Sequence, residues 1–171
     1  LEILINQGGI YLDLDTITSR SFTELLHHET VLGEELFNNE TVGVCNAVIA
    51  ACPQSPFLQT WYQNYRSFRS RGRDEYWNEH SVKLPAELLR QQLGSATLLD
   101  SHAFFDPSYN EGALSEFFFG ERPYPHAYCH HLWETITWNL LSRINESNMS
   151  MFGASTFATL ANACISEEDR S

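Results

Sequence analysis

The sequence predicts an α/β fold, and three observations carry that expectation. Leu1 to Gln7 has the apolar spacing of a short helix, Gly8-Gly9 follows, and Ile10-Tyr11-Leu12 reads as a strand. Strand-like and helix-like segments then alternate along the chain, as in α/β proteins. The first strand runs into two acids, Asp13 and Asp15, and in open α/β sheets ligands bind beyond the carboxyl ends of strands.

Each element has a local reason. Gly8 stands where a helix C-cap calls for a left-handed residue, and Gly9 lets the chain turn directly into the strand. Thr41 to Ala51 reads as one or two short buried strands. Ser55 is a good N-cap, and Pro56 suits the first helical position. Leu58, Trp61, Tyr62, Tyr65 and Phe68 follow helical spacing, and Gly72 is expected to close that helix. Arg66, Arg69, Arg71 and Arg73 gather at its end, either as a phosphate patch or, preferably, as a complement to the helix dipole. A second helix is expected from Pro85 to Leu93 with Gly94 as its stop, then a strand from Ala96 to Leu99. Phe104-Phe105-Asp106-Pro107 and Phe117-Phe118-Phe119-Gly120 fall in a long irregular stretch. Such aromatic loops stack on sugar rings or, more commonly, pin a loop onto the core. Trp133 to Ile144 reads as a helix.

The acidic pair is the segment richest in chemistry. In an extended strand the side-chain period is two, so Asp13 and Asp15 would project from one face and Leu12 and Leu14 from the other. Two like charges that close repel, and burying either one unpaired is costly. A divalent cation resolves the conflict, and oxygen ligands suit Mg²⁺ or Mn²⁺. An ion held by two carboxylates keeps open positions that phosphate oxygens commonly fill. The plain alternative is a pair of solvated carboxylates at a strand end.

Gly8-Gly9-Ile10-Tyr11-Leu12-Asp13-Leu14-Asp15-Thr16 resembles the signature of DXD sugar-binding glycosyltransferases of family 32 type, which include fungal α-1,6-mannosyltransferases and, as relatives, animal α-1,4-galactosyltransferases. Asn46 to Ala51 with Pro53 and Pro56-Phe57-Leu58 is similar to a second block, and Ser81 to Leu88 to a third. Tyr128-Cys129-His130-His131-Leu132-Trp133 resembles the closing Tyr-x-x-His-x-Trp block.

The resemblance implies a GT-A type (Rossmann-like) fold, a nucleotide-sugar donor, a glycan or glycolipid acceptor and retention of anomeric configuration. It also implies Mn²⁺ or Mg²⁺ as cofactor, Asp13 and Asp15 as the catalytic pair, and metal ligation by Asp13, Asp15 and His131. Gly9, Tyr11, Asp13 and Asn46 would bind the donor. Asp13 would reach ribose or metal and Asp15 the metal directly. His131 fits the His-x-Trp spacing, although the adjacent His130 leaves the register open by one. Glu79 and Asp100 are conceivable assistants. Residues 1–146 would form the C-terminal portion of a catalytic domain that starts just before the DXD strand, with 147–171 as a helix or tail. A nucleotide-binding half is expected upstream.

Composition narrows the partners. A net charge of −12, with Lys83 the one lysine, disfavours nucleic acid. The acidic runs at Glu29–Glu40 and Glu167–Asp169 read as solvated loop or tail. No stretch has the ~20 apolar residues of a membrane span, so membrane attachment would need an anchor outside these residues. Sequons at Asn39, Asn145 and Asn148 point to the Golgi or secretory lumen. Asn39 is expected in an exposed loop. Cys45, Cys52, Cys129 and Cys164 match no zinc spacing, and each reads as a buried small apolar residue.

Two other classes compete. Haloacid-dehalogenase-type phosphatases also use Asp-x-Asp before Thr, but they need a downstream lysine and a late acidic pair after a strand. Here Lys83 is the only lysine, and Glu167-Glu168-Asp169 lies in a polar tail. A non-catalytic sugar- or partner-binding relative is the other. A two-carboxylate glycosidase is disfavoured, because its acids flank the scissile bond from opposite sides.

Overall fold

The computed structural model describes residues 1–38, 40–72, 74–91 and 95–168. It is a mixed α/β structure that divides into two compact units. The first comprises residues 1–13 and 22–101, the second residues 14–21 and 102–171.

The first unit is built on a four-stranded mixed sheet. Its strands are β1 (Gly9–Leu12), β3 (Thr30–Phe37), β4 (Glu40–Ala51) and β5 (Thr97–Leu99), in the order β1-β4-β3-β5. Only β3 and β5 run parallel; β4 pairs antiparallel with both neighbours. Helix α1 (Glu2–Gln7), α2 (Pro56–Gln63) and α3 (Leu84–Arg90) supply side chains to its core. Leu4, Leu32, Val44, Ile49, Phe57, Leu58, Trp61 and Leu88 form that core. The Ser55 hydroxyl caps α2 by accepting from the Leu58 amide at 3.1 Å, with Pro56 in the first turn. The same hydroxyl meets Thr30 Oγ1 at 2.6 Å, which ties the cap to β3.

Several expectations in this unit are corrected. The acidic stretch Glu29–Glu40 is not a solvated loop: most of it is β3, an interior strand whose apolar residues outweigh its acids, and Glu35 itself is buried. Thr41–Ala51 lies in a single long strand. The helical spacing from Leu58 to Phe68 passes from α2 into a 3-10 turn at Asn64–Ser67, so Gly72 lies in the loop beyond and does not close a helix. Of the described arginines, Arg66 lies in that 3-10 turn, while Arg69 and Arg71 lie beyond it. Arg69 grips Glu79 through two bonds, at 2.9 and 2.5 Å, and lies over the Tyr76 ring. Arg73, Asn39 and the expected stop at Leu93-Gly94 lie outside the described residues. Cys45 is buried as expected, but Cys52 is exposed.

The second unit pairs β2 (Thr16–Thr18) antiparallel with β6 (Cys129–His131) and surrounds them with α4 (Glu111–Phe119), α5 (Glu134–Leu141) and α6 (Thr156–Glu168). Its core is aromatic: Phe117, Phe118, Phe152 and Phe157 pack with Leu114 and Leu132. The stretch expected to be irregular thus contains α4, capped by the Asn110 side chain, and Phe117 and Phe118 are core residues on it. Cys129 is buried, whereas Cys164 is exposed, contrary to expectation. Among the described residues no helix is long and apolar enough to cross a membrane.

Candidate metal and donor site

The Gly8-Gly9 turn is made by backbone conformation. Both residues have positive φ, 69° and 113°, which side chains with a Cβ rarely adopt. A Cβ on Gly8 would also meet Pro53 at 2.7 Å, whereas Gly9 has open space around it. Gly9 is therefore needed for its turn, not for room.

The Asp-x-Asp segment departs from the extended geometry expected of it. Strand β1 stops at Leu12, and Leu14 and Asp15 form a turn before β2. Leu14 is fully exposed rather than buried on an apolar face. The period-two argument for a shared face therefore does not hold. The two acids are positioned by separate contacts, and they fall in different units.

In the first unit, Asp13 is anchored by its main chain and by Tyr11. Strand pairing between β3 and β4 jumps from Leu32↔Ile49 to Gly33↔Cys45, so β4 residues 46–48 bulge out of register with β3. The Ala47 carbonyl there accepts from the Asp13 amide at 2.9 Å. Asn46 is the half-buried residue preceding Ala47. The half-exposed Tyr11 donates its hydroxyl to Asp13 Oδ1 at 2.5 Å. Tyr11 and Asp13 are two residues apart, the spacing that puts side chains on one face of an extended segment, so this bond had a signal in the sequence. Behind them Cys45 is buried, and burial, followed by the Glu35 carboxylate, pushes its thiol well up and keeps it protonated.

In the second unit, the Asp15 carbonyl accepts from the Leu132 amide at 2.7 Å, continuing the β2–β6 ladder. Its side-chain Oδ2 accepts from the Glu134 amide at 2.7 Å, and His131 Nε2 stands 3.2 Å from the same oxygen. Burial alone would raise this carboxyl, but the His131 and Glu134 hydrogen bonds outweigh it and hold Asp15 below its ordinary value. The group is therefore ionised at neutral pH.

The two adjacent histidines do different things. Strand alternation in β6 sends them to opposite sides. His131 faces Asp15. His130 is buried, donates from Nδ1 to the Asp106 carbonyl at 2.6 Å, and packs on Phe117 and Tyr124. Burial lowers its basicity. Of the conceivable assistants, Glu79 is occupied by Arg69.

The Asp15–His131 pair could hold a divalent metal ion: its donors are a carboxylate oxygen and an imidazole nitrogen, both common metal ligands. Ligand atoms at ~2.1 Å on adjacent octahedral corners lie about 3 Å apart, close to the separation of this pair.

Comparison with known proteins points the same way. Residues 1–32 match the family model described as the glycosyltransferase sugar-binding region containing the DXD motif. Glucan organizing enzyme 1 of Cryptococcus neoformans var. grubii serotype A is 29% identical over 151 residues, covering 83% of this chain and 40% of that protein. The chain is glycosyltransferase-like. It spans about 40% of the length of this relative. No solved structure matches. The mixed sheet of this glycosyltransferase-like chain is compatible with a GT-A-like fold.

Proposed function

We propose that this chain carries part of the donor site of a metal-dependent, retaining glycosyltransferase of family 32 type with a GT-A fold. It would move a hexose from a nucleotide-sugar to a glycan or glycolipid acceptor. The observation that supports this most is the convergence of His131 Nε2 and the Glu134 amide on one ionised oxygen of Asp15, inside a matched DXD segment.

Asp15 and His131 would hold Mn²⁺ or Mg²⁺, with Asp13, two residues away along the chain, as the third protein ligand. Such an ion, when bound, offsets the charge of the departing diphosphate. Tyr11 holds the Asp13 carboxylate in one orientation, and the Glu134 amide does the same for Asp15. Gly9 and Asn46 complete the donor-facing residues. In the transfer the bond from anomeric carbon to phosphate oxygen breaks, and one to the acceptor oxygen forms. The acceptor's proton passes to the leaving diphosphate, so the chain need not supply a dedicated base. The same reading assigns the protein to the Golgi or secretory lumen, supported by its sequons.

Calorimetric titration of UDP- and GDP-hexoses, with Mn²⁺ and then with EDTA, tests the reading. One donor should bind only with the ion. Asp15→Asn keeps the shape, removes the charge and should weaken that binding by at least about tenfold, the scale that outer-shell changes alone reach. Donor affinity that is unchanged in EDTA would sink the metal assignment.

A further inference from the structure

Trp133 adopts φ 55°, ψ 56°, the left-handed conformation that a bulky side chain avoids. Glycine is the usual occupant of such a position. Strain of this kind persists only where the surroundings over-determine it. Here they do. The indole Nε1 donates to the Pro107 carbonyl at 2.8 Å, and the ring packs on Tyr109 with centroids 4.9 Å apart. Phe105 lies 6.1 Å away. The Trp133 carbonyl accepts from the Ile136 amide at 2.8 Å, the Thr137 amide at 2.9 Å and the Thr137 hydroxyl at 3.1 Å.

The bend at this residue has a consequence on both sides. Just before it, strand β6 presents His131; just after it, α5 begins with the Glu134 amide. A chain continuing as strand would carry that amide away from Asp15, and a helix begun earlier would turn His131 off the ladder. The left-handed residue lets donors three positions apart meet on Asp15 Oδ2, while Oδ1 takes neither. The indole also lies against the His131 imidazole, at 4.2 Å between centroids and an angle of 47°. It restricts that ring's rotation.

We propose that Trp133 is a positioning residue: its left-handed backbone aims the Glu134 amide at Asp15, and its ring fixes the plane of His131, so that both groups are set for a cation before it arrives. The cation part rests on the function proposed above. The aiming of the amide does not, and this separates the two.

The test uses the whole chain with Mn²⁺ alone as probe, its free concentration followed by electron paramagnetic resonance. Hydrogen exchange of the Glu134 amide is followed in parallel without metal. Trp133→Val penalises the left-handed backbone, Trp133→Gly permits it without the ring, and Trp133→Phe keeps a ring. Val should lose Glu134 protection and bind Mn²⁺ about 10–100-fold more weakly, the usual cost of disturbing groups that orient metal ligands. Gly should retain the protection yet bind Mn²⁺ more weakly than Phe. Should Val not fold, the Gly and Phe pair still decides the ring's role. Wild-type affinity in folded Val and Gly, with only the melting temperature lowered, would overturn the proposal. Wild-type protein that binds no Mn²⁺ would defeat the cation reading. The Glu134 protection pattern would then stand or fall on its own, and unchanged protection in Val would end the positioning claim.

Discussion

The two units reach a packed interior by different routes. The sheet unit buries mainly aliphatic side chains from alternating strand positions and from short helices, with Trp61 and Phe57 as its large members. The second unit has little sheet and relies on rings touching rings. Phe118 and Phe157 lie 4.9 Å apart, Phe152 and Phe157 5.0 Å, and Phe117 and His130 4.9 Å. A regular ladder positions a residue by repetition. A ring cluster positions it by a set of specific contacts, and each of those contacts is easier to break selectively. Asp13 depends on the first kind of support; Asp15 and His131 share a short ladder of their own, and His131 adds ring contacts with Phe105 and Trp133.

The largest expected effects compare the cores directly. Trp61→Ala and Phe117→Ala should each cost about 3–5 kcal/mol in urea unfolding. The contrast appears in a double-mutant cycle. Phe118→Leu with Phe157→Leu should show a coupling of about 0.5–1.5 kcal/mol, the excess that aromatic pairs add beyond burial. Strict additivity would break the claim that ring-on-ring contact distinguishes this unit.

The paired histidines give the next test. His130→Ala should lower stability by about 1–3 kcal/mol, because it empties a buried site and leaves the Asp106 carbonyl without its donor. It should change Mn²⁺ affinity little. His131→Ala should weaken Mn²⁺ and donor binding together. Reversed outcomes would mean that the closing block is read one residue out of register.

A smaller effect is expected at the α2 cap. Ser55→Ala should destabilise by about 0.5–2 kcal/mol in thermal or urea melts, since both the helix start and Thr30 lose a partner. The smallest concerns Tyr124, whose hydroxyl is buried without a hydrogen-bond partner among the described residues and whose pKa is pushed up to about 12, mainly by burial. The folded state favours the neutral phenol, so this contribution is intact below the ordinary value of 10.0 and is lost as pH rises through about 12. Tyr124→Phe should be neutral or slightly stabilising at pH 7, by up to about 1 kcal/mol, and should flatten that alkaline decline. A clear loss at neutral pH would reveal a partner for the hydroxyl.

How much was legible beforehand follows the same division. Helix α1, the Gly-Gly turn, the Ser55 cap and strand β4 were readable, because turn chemistry and local periodicity determine them. The acidic β3 was misread: its charges drew attention from Val31 and Leu32, which the sheet buries. The choice of His131 over His130 came from spacing before Trp133, and the alternation of β6 supplies its physical basis. The Glu134 amide was invisible, since a backbone donor leaves no mark on the residue that carries it. The shared face of Asp13 and Asp15 was argued from a strand that in fact ends at Leu12. Nothing local marked that end, because Leu14 looks apolar enough to continue it.

The turn near the C-terminus has a practical implication. Asn145 and Asn148 form a capping box: Asn145 Oδ1 accepts from the Ser147 amide at 3.1 Å, and Asn148 Oδ1 accepts from the Asn145 amide at 2.9 Å. The Asn148 side-chain nitrogen also donates to the Arg143 carbonyl at 2.6 Å. That nitrogen is the atom a glycan would be attached to. Exchanging asparagine for glutamine, the customary way to erase a glycosylation site, would here dismantle the turn as well, and a loss of function could be blamed on the missing sugar. Ser150→Ala cancels the acceptor sequence at Asn148 while leaving every one of these bonds in place.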